Sequence, residues 1–193
     1  MNARDRAPAE VWAEAWAVLP CPLGALLAVA RDGALVRLSF ADSPEEARTR
    51  AREELDEPGD PTGARLAAGT AREDPGAAPL PELARQLEEY FAGRRRRFEM
   101  PLAPEGTEFQ RRVWEELARI PWGETRSYGE IARAVGRPGG SRAVGMANNR
   151  NPIAVVVPCH RVIGAEGSLT GYGAGLDRKE HLLRLEGALP PTA

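Results

Sequence analysis

Two apolar segments, Leu23 to Val29 and Leu35 to Phe40, flank Arg31-Asp32-Gly33, and this pattern predicts a β-hairpin with the glycine in its turn. Before them, Val11, Trp12 and Trp16 fall at mixed spacing, so residues 1–17 stay unassigned. Residues 44–57 are rich in helix formers, with Pro44 suited to the first helical position. Prolines and glycines then crowd residues 58–81, which read as a mobile loop. A helix is expected over 82–92, with Leu83, Leu87, Tyr90 and Phe91 on one side and Gly93 as its stop. Arg94 to Arg97 read either as a phosphate contact or as a solvated strand edge.

The second half is more sharply punctuated. Thr107 with Gln110, and Ser127 with Glu130, each fit a capping box that opens a helix. Phe109, Val113, Leu117 and Ile120 would line the first helix, and Ile131, Ala134 and Val135 the second. Gly136-Arg137-Pro138-Gly139 is a turn, and Ser141 a plausible cap for a third helix through Asn149. Two short helices about such a turn make a helix-turn-helix pattern over about 127–149. Ala143, Gly145 and Ala147 make the third helix small-sided, behind the long cation of Arg142. That suits either tight helix packing or a narrow nucleic-acid groove. Pro152 to Pro158 encloses an apolar, β-branched run with strand propensity, which would deliver Cys159-His160-Arg161 to a fixed place.

Composition narrows the function. The chain has 193 residues and a net charge of −2, but the balance is uneven. Residues 1–105 hold 14 Arg against 19 acidic residues, whereas residues 106–193 hold 12 cations against 9. The second half is the one suited to a polyanion. Two cysteines, Cys21 and Cys159, make no disulfide framework, and no run approaches the length of a membrane span. The expectation is a cytoplasmic protein with no membrane attachment. A thiol acts as a nucleophile only as thiolate, and its free pKa of ~8.5 leaves little of that at neutrality. A neighbouring base such as His160 could take the proton, if the chain bends or water intervenes, since strand neighbours point to opposite faces. Read from the residues alone, Cys159 fits an inert buried thiol, and His160 a structural imidazole, better than the two fit a reactive pair.

The motif Pro158-Cys159-His160-Arg161-Val162-Ile163-Gly164 resembles the active site of the O6-alkylguanine-DNA alkyltransferases. The resemblance runs nearly continuously from Pro101 to Gly187, through GTEFQRRVWEEL, IPWGETRSYGEIARAVG, SRAVGMANNRNPIAVVVPCHRVIG and GSLTGYGAGLDRKEHLLRLEG. It implies an α/β N-terminal domain with a ribonuclease-H-like sheet over 1–100. Residues 101–193 would be a mainly helical, winged helix-turn-helix domain. It implies irreversible, single-turnover transfer of the alkyl group from O6 of guanine to the Cys159 thiolate. His160 would be the base through a bound water, Glu186 would polarise it, and Asn151 would hold the loop before the reactive segment. Asp177 would cap the last helix and Gly187 end it. Tyr128 would crowd the 3′ phosphate and hydrogen-bond the flipped base, and Arg142 would fill the vacated stack. Carbonyls of Cys159 and Val162, with Tyr172, would line the base pocket. Ala143, Gly145 and Ala147 would face double-stranded DNA from the minor groove. Arg150 would reach a phosphate or remain solvated.

No cofactor is implied. Some members of that family hold a structural zinc, but Cys21, Cys159, His160 and His181 leave too few ligands here, so none is expected. A monomer is the expected state. A non-catalytic lesion sensor would lack the reactive cysteine, and a cysteine hydrolase would need an oxyanion hole for which the sequence offers nothing.

Overall fold

A computed structural model describes residues 14–56 and 71–190. Three strands, β1 (Glu14–Cys21), β2 (Gly24–Arg31) and β3 (Ala34–Ala41), form an antiparallel meander. The β2–β3 turn uses positive φ at Asp32 (50°) and Gly33 (76°), the backbone that a tight two-residue hairpin demands. Helix α1 (Pro44–Asp56) follows, then β4 (Ala71–Glu73), which runs parallel to β1 and completes the order β3-β2-β1-β4.

Both faces of this sheet are covered. Ala25, Leu27 and Val29 of β2 point with Trp16 and Val36 towards Ala47 and Ala51 of α1. Leu26, Ala28 and Ala30 point the other way, into a core shared with helix α2 (Leu80–Phe91) and with the second half of the chain. A doubly covered strand has no polar face, so β2 reads as a continuous apolar run. The same covering explains β1. Its first four residues are all buried, so no alternation marks it, and the sequence left it unassigned up to residue 17.

Three further expectations need correction. The loop expected over 58–81 contains β4 and the first two residues of α2; its part up to residue 70, like Val11 and Trp12, lies outside the described residues. Residues 94–97 form no strand edge; Arg95 turns back onto Glu89 at 2.7 Å, while Arg94, Arg96 and Arg97 are exposed. The expected strand over 152–158 makes a single bridge, Ile153 to Leu38, and then winds through turns. Pro152 and Pro158 bring no donors to a ladder. The Asn151 amide occupies the Val157 carbonyl at 2.8 Å. Val155 sits at φ 68°, a strained conformation for a β-branched residue.

In the second half, α3 (Glu108–Ala118) and α4 (Tyr128–Ala134) both open with a complete capping box, from Thr107–Gln110 and Ser127–Glu130. In α4 it is Ala132, rather than Ala134, that joins Ile131 in the core. Helix α5 (Ser141–Asn149) begins at Ser141 itself, with Gly140 in the cap position and no side-chain cap bond. Asp177 likewise lies inside the first turn of α6 (Leu176–Leu185), which follows Gly175. Short strands β5 (Arg126–Ser127) and β6 (Val162–Ile163) pair in parallel beside α4. The outer edge of β3 is bonded through Leu35 to Pro101 and Ala103, in the segment that leads into the second half, and through Leu38 to Pro152 and Ala154 of that half. Among the described residues no helix is long and apolar enough to cross a membrane.

Candidate active site

Cys159, His160 and Arg161 form a single 3-10 turn between Pro158 and β6. The bend brings these side chains off an extended strand and into the core, where all three are buried. His160 is 0% exposed, and its Nε2 lies 2.9 Å from Oε1 of Glu186. The tautomer that suits a carboxylate carries the proton on Nε2, which leaves Nδ1 with the lone pair. Nδ1 has no partner among the described residues, so it is the one basic position left for a proton from the adjacent thiol.

Glu186 closes α6 and is a hub. Besides His160, it accepts Arg161 Nε at 2.7 Å, Arg161 Nη2 at 2.9 Å and the Tyr90 hydroxyl at 2.6 Å. Arg161 Nη1 is held in turn by the Ile120 carbonyl at 2.5 Å. Burial alone would raise the Glu186 carboxyl, yet the bonds and charge of His160 and Arg161 bring it down to about 2. Burial lowers the His160 pKa, against the pull of Glu186, so the imidazole rests neutral. Burial also pushes the Cys159 thiol up. A bond from Asn151, the charge of Lys179 and the nearby N–H groups of Cys159 and His160 act in the opposite sense.

Lys179 stands on the far side. It is 0% exposed, with Nζ at 2.5 Å from the Val162 carbonyl and 2.7 Å from that of Thr170. Burial brings its pKa down to about 8, opposed by Cys159. Its ammonium therefore pins two backbone segments and places positive charge near the sulfur. Asn151 bonds the Ile153 N–H at 3.1 Å through Oδ1 as well as the Val157 carbonyl, and so fixes the loop that leads to Cys159.

The open side of the site is a shallow depression of about 630 Å³ lined by Tyr128, Arg142, Gly145, Met146, Thr170 and Gly171 among others. The Tyr128 hydroxyl donates to the carbonyls of Thr170 and Gly171 at 3.0 and 3.1 Å. Gly171, at φ 61°, permits that approach, since a Cβ there would lie 2.8 Å from the hydroxyl oxygen. Arg142 is exposed at the rim. Tyr172 is half-buried beside the core, and its hydroxyl has no partner among the described residues. Arg150 is exposed at the end of α5 and borders a second groove, of about 760 Å³, with Trp114, Gln110 and Asn151.

The small-residue face needs redrawing. Ala147 is 2% exposed in the core, and its carbonyl holds the Trp114 indole at 2.8 Å, so its side chain cannot meet a partner. Ala143 is half-buried. Gly145 lies off the face that Ala143 and Ala147, four apart, share; the open face runs through Arg142, Gly145, Met146 and Asn149, at helical spacing. Tyr90, Arg161 and Lys179 were not singled out from the sequence. Lys179 carried a signal, as the lone lysine in a chain of 25 arginines.

The chain matches two family patterns, described as 6-O-methylguanine DNA methyltransferase, ribonuclease-like domain, over residues 15–104, and DNA binding domain, over 108–188. The methylated-DNA–protein-cysteine methyltransferase of Methanosarcina acetivorans is 67% identical over 107 residues, 55% of this chain and 69% of that one. The protein of that name from Mycobacterium tuberculosis is 60% identical over 107 residues, 55% of this chain and 65% of that one. The crystal structure of the M. tuberculosis O6-methylguanine methyltransferase superposes with a TM-score of 0.72 at 42% identity, covering 93% of this chain and 96% of that one. The crystal structure of M. tuberculosis OGT in complex with DNA gives 0.73 at 42% identity, covering 90% of this chain and 92% of that one.

Proposed function

The chain belongs to the 6-O-methylguanine DNA methyltransferase family, and from that premise we propose how its own residues carry out the family's reaction. The activity is direct-reversal DNA repair: an alkyl group passes from O6-alkylguanine in DNA to a protein cysteine. Cys159 is the acceptor. Its sulfur attacks the alkyl carbon as the carbon–O6 bond breaks, and the bonding pair leaves with the base. The thiol proton passes through a water to Nδ1 of His160, and the guanine takes up one proton as it departs. Glu186 orients the imidazole through Nε2, and Asn151 fixes the approach of the reactive turn. A thioether offers no easy way back to a thiol, so each chain acts once.

Double-stranded DNA enters over the exposed face of α5 from the minor groove, with Arg142 filling the space of the extruded nucleotide. Tyr128 crowds the 3′ phosphate and turns its hydroxyl from Thr170 and Gly171 to the flipped base. Tyr172 and the carbonyls of Cys159 and Val162 wall the pocket, with Val162 already held by Lys179. Gly145 permits close approach. Arg150 meets a phosphate beyond that face. Residues 1–100 form the supporting α/β domain and residues 101–193 the DNA-facing one. The protein works as a cytoplasmic monomer.

The observation that carries this reading is the buried series Cys159–His160–Glu186, with Nε2 committed to the carboxylate and Nδ1 left for the thiol proton. The test is intact-protein mass after incubation with a duplex containing O6-methylguanine. The chain should gain one methylene and a Cys159→Ser variant none. Duplex binding without a mass gain, or a gain that persists in Cys159→Ser, overturns the assignment.

A further inference from the structure

The carboxylate of Glu186 holds more donors than a proton relay from Cys159 through His160 requires. Oε1 alone accepts three: His160 Nε2 at 2.9 Å, Arg161 Nη2 at 2.9 Å and the Tyr90 hydroxyl at 2.6 Å. Two of these come from the turn that carries the nucleophile. The third comes from α2, 96 positions before Glu186 and inside the segment that matches the ribonuclease-like pattern. Tyr90 is fully buried, and its ring is fixed on three sides, edge-on to Phe91 and Trp122 and tilted against Phe98, each centroid 5.3 Å away. Packing alone would be met by phenylalanine. The hydroxyl instead reaches the carboxylate oxygen that the imidazole uses.

We propose that Tyr90 is a positioning residue of the alkyl transfer: its hydroxyl holds Glu186 Oε1 in place and limits how strongly that oxygen draws on the Nε2 proton of His160. The proposal rests on the reading of His160 as the base. A carboxylate oxygen that shares its lone pairs among several donors is a weaker base towards each of them. Tyr90 supplies such sharing without adding charge, so it does not repel the imidazolium that forms as the thiol proton arrives. Burial and the Glu186 charge hold its own proton well above the usual tyrosine range, so it stays a donor throughout.

The other groups cannot substitute. Arg161 has Nε on Oε2, Nη2 on Oε1 and Nη1 on the Ile120 carbonyl, which commits its fork. Lys179, from α6, is bound to two carbonyls, and its charge lowers the His160 pKa together with that of Arg161. Cys159 beside the imidazole and Tyr172, whose hydroxyl feels both the sulfur and Glu186, are neutral at rest. Without the Tyr90 hydroxyl, Oε1 draws harder on Nε2, the imidazole protonates more easily, and less of it is free to accept the thiol proton.

The experiment measures single-turnover methyl transfer from an O6-methylguanine duplex over about pH 5 to 9, for the wild type, Tyr90→Phe and His160→Gln. In Tyr90→Phe the acid limb should move up by about half a pH unit, slowing transfer about threefold along that limb, with the alkaline plateau and duplex affinity kept. A purely packing role would lower the active fraction equally at every pH. The chain has two histidines, so the His160 resonances can be assigned against His160→Gln and titrated by NMR in the folded fraction even if the variant is less stable. A raised imidazole pKa in Tyr90→Phe supports the proposal. Superimposable rate profiles and titrations overturn it, provided that the limb is absent from His160→Gln. A limb that persists in His160→Gln overturns the reading of His160 as base, and this proposal with it.

Discussion

Glu186 balances two buried side chains at once, and the two respond differently to its loss. His160 is neutral without it, whereas the guanidinium of Arg161, 6% exposed, would stand in the core without a counter-charge. Breaking a buried pair from one side costs about 3–5 kcal/mol, so Glu186→Gln should lower the urea-unfolding free energy at pH 7 by that order. The pH dependence has a definite sign. A carboxyl held near 2 when folded and near 4.5 when unfolded gives stability that is complete above 4.5 and lost as pH falls towards 2. The gap between wild type and variant should therefore narrow below pH 4.5, and a gap that is small or constant with pH would contradict this account. The reactive pair was legible because Cys159 and His160 adjoin in an unusual motif. Tyr90 was legible only as an apolar position at helical spacing, since its hydroxyl partner lies 96 residues away.

At the scale of elements, the caps were legible because their chemistry is local. Ser127 Oγ accepts the Glu130 N–H at 3.2 Å, and the Glu130 carboxylate returns a bond to the Ser127 N–H at 2.7 Å. That box starts α4 at Tyr128, which must be held upright beside the depression. Ser127→Ala should cost about 1 kcal/mol in urea unfolding, whereas Ser141→Ala, which removes no cap bond, should stay within about 0.5 kcal/mol. Equal losses at the two serines would refute the distinction. The segment 152–158 was misread for the opposite reason. Its valines carry strand propensity, but it makes one bridge to the edge of β3, at Ile153, and the Asn151 amide already bonded to Val157 leaves it no ladder to join. On α5 small size alone does not mark the open face: Gly145 lies with Arg142 and Met146 beside the depression, whereas Ala147 is buried in the core.

Over the whole molecule, the sheet lies between α1 and a core that runs from Ala15 to Leu182. Burial on both sides is what hid β1 from its pattern, and the two family segments are joined physically through Leu38 and Tyr90. Arg178 adds another tie, from α6 to the carbonyls of Leu23 and Ala41 and to Asp42. Charge, in contrast, was readable at this scale from the start, as the uneven division between the halves. The enclosure of the sulfur has a consequence for the solution around the protein. Cys159 is 5% exposed and His160 0%, and the raised thiol pKa means that the sulfur starts with its proton. The departing guanine needs one. The same hydrogen meets that need, so an S–H and an O–alkyl bond are exchanged for an S–alkyl and an N–H bond, with nothing drawn from the medium. Near neutrality the position of equilibrium is then indifferent to pH, although the speed of reaching it is not. In a weakly buffered mixture with an indicator dye, the colour should hold steady through one complete round of transfer, and alkalinisation by one proton per chain would mean that the sulfur had been waiting as an anion.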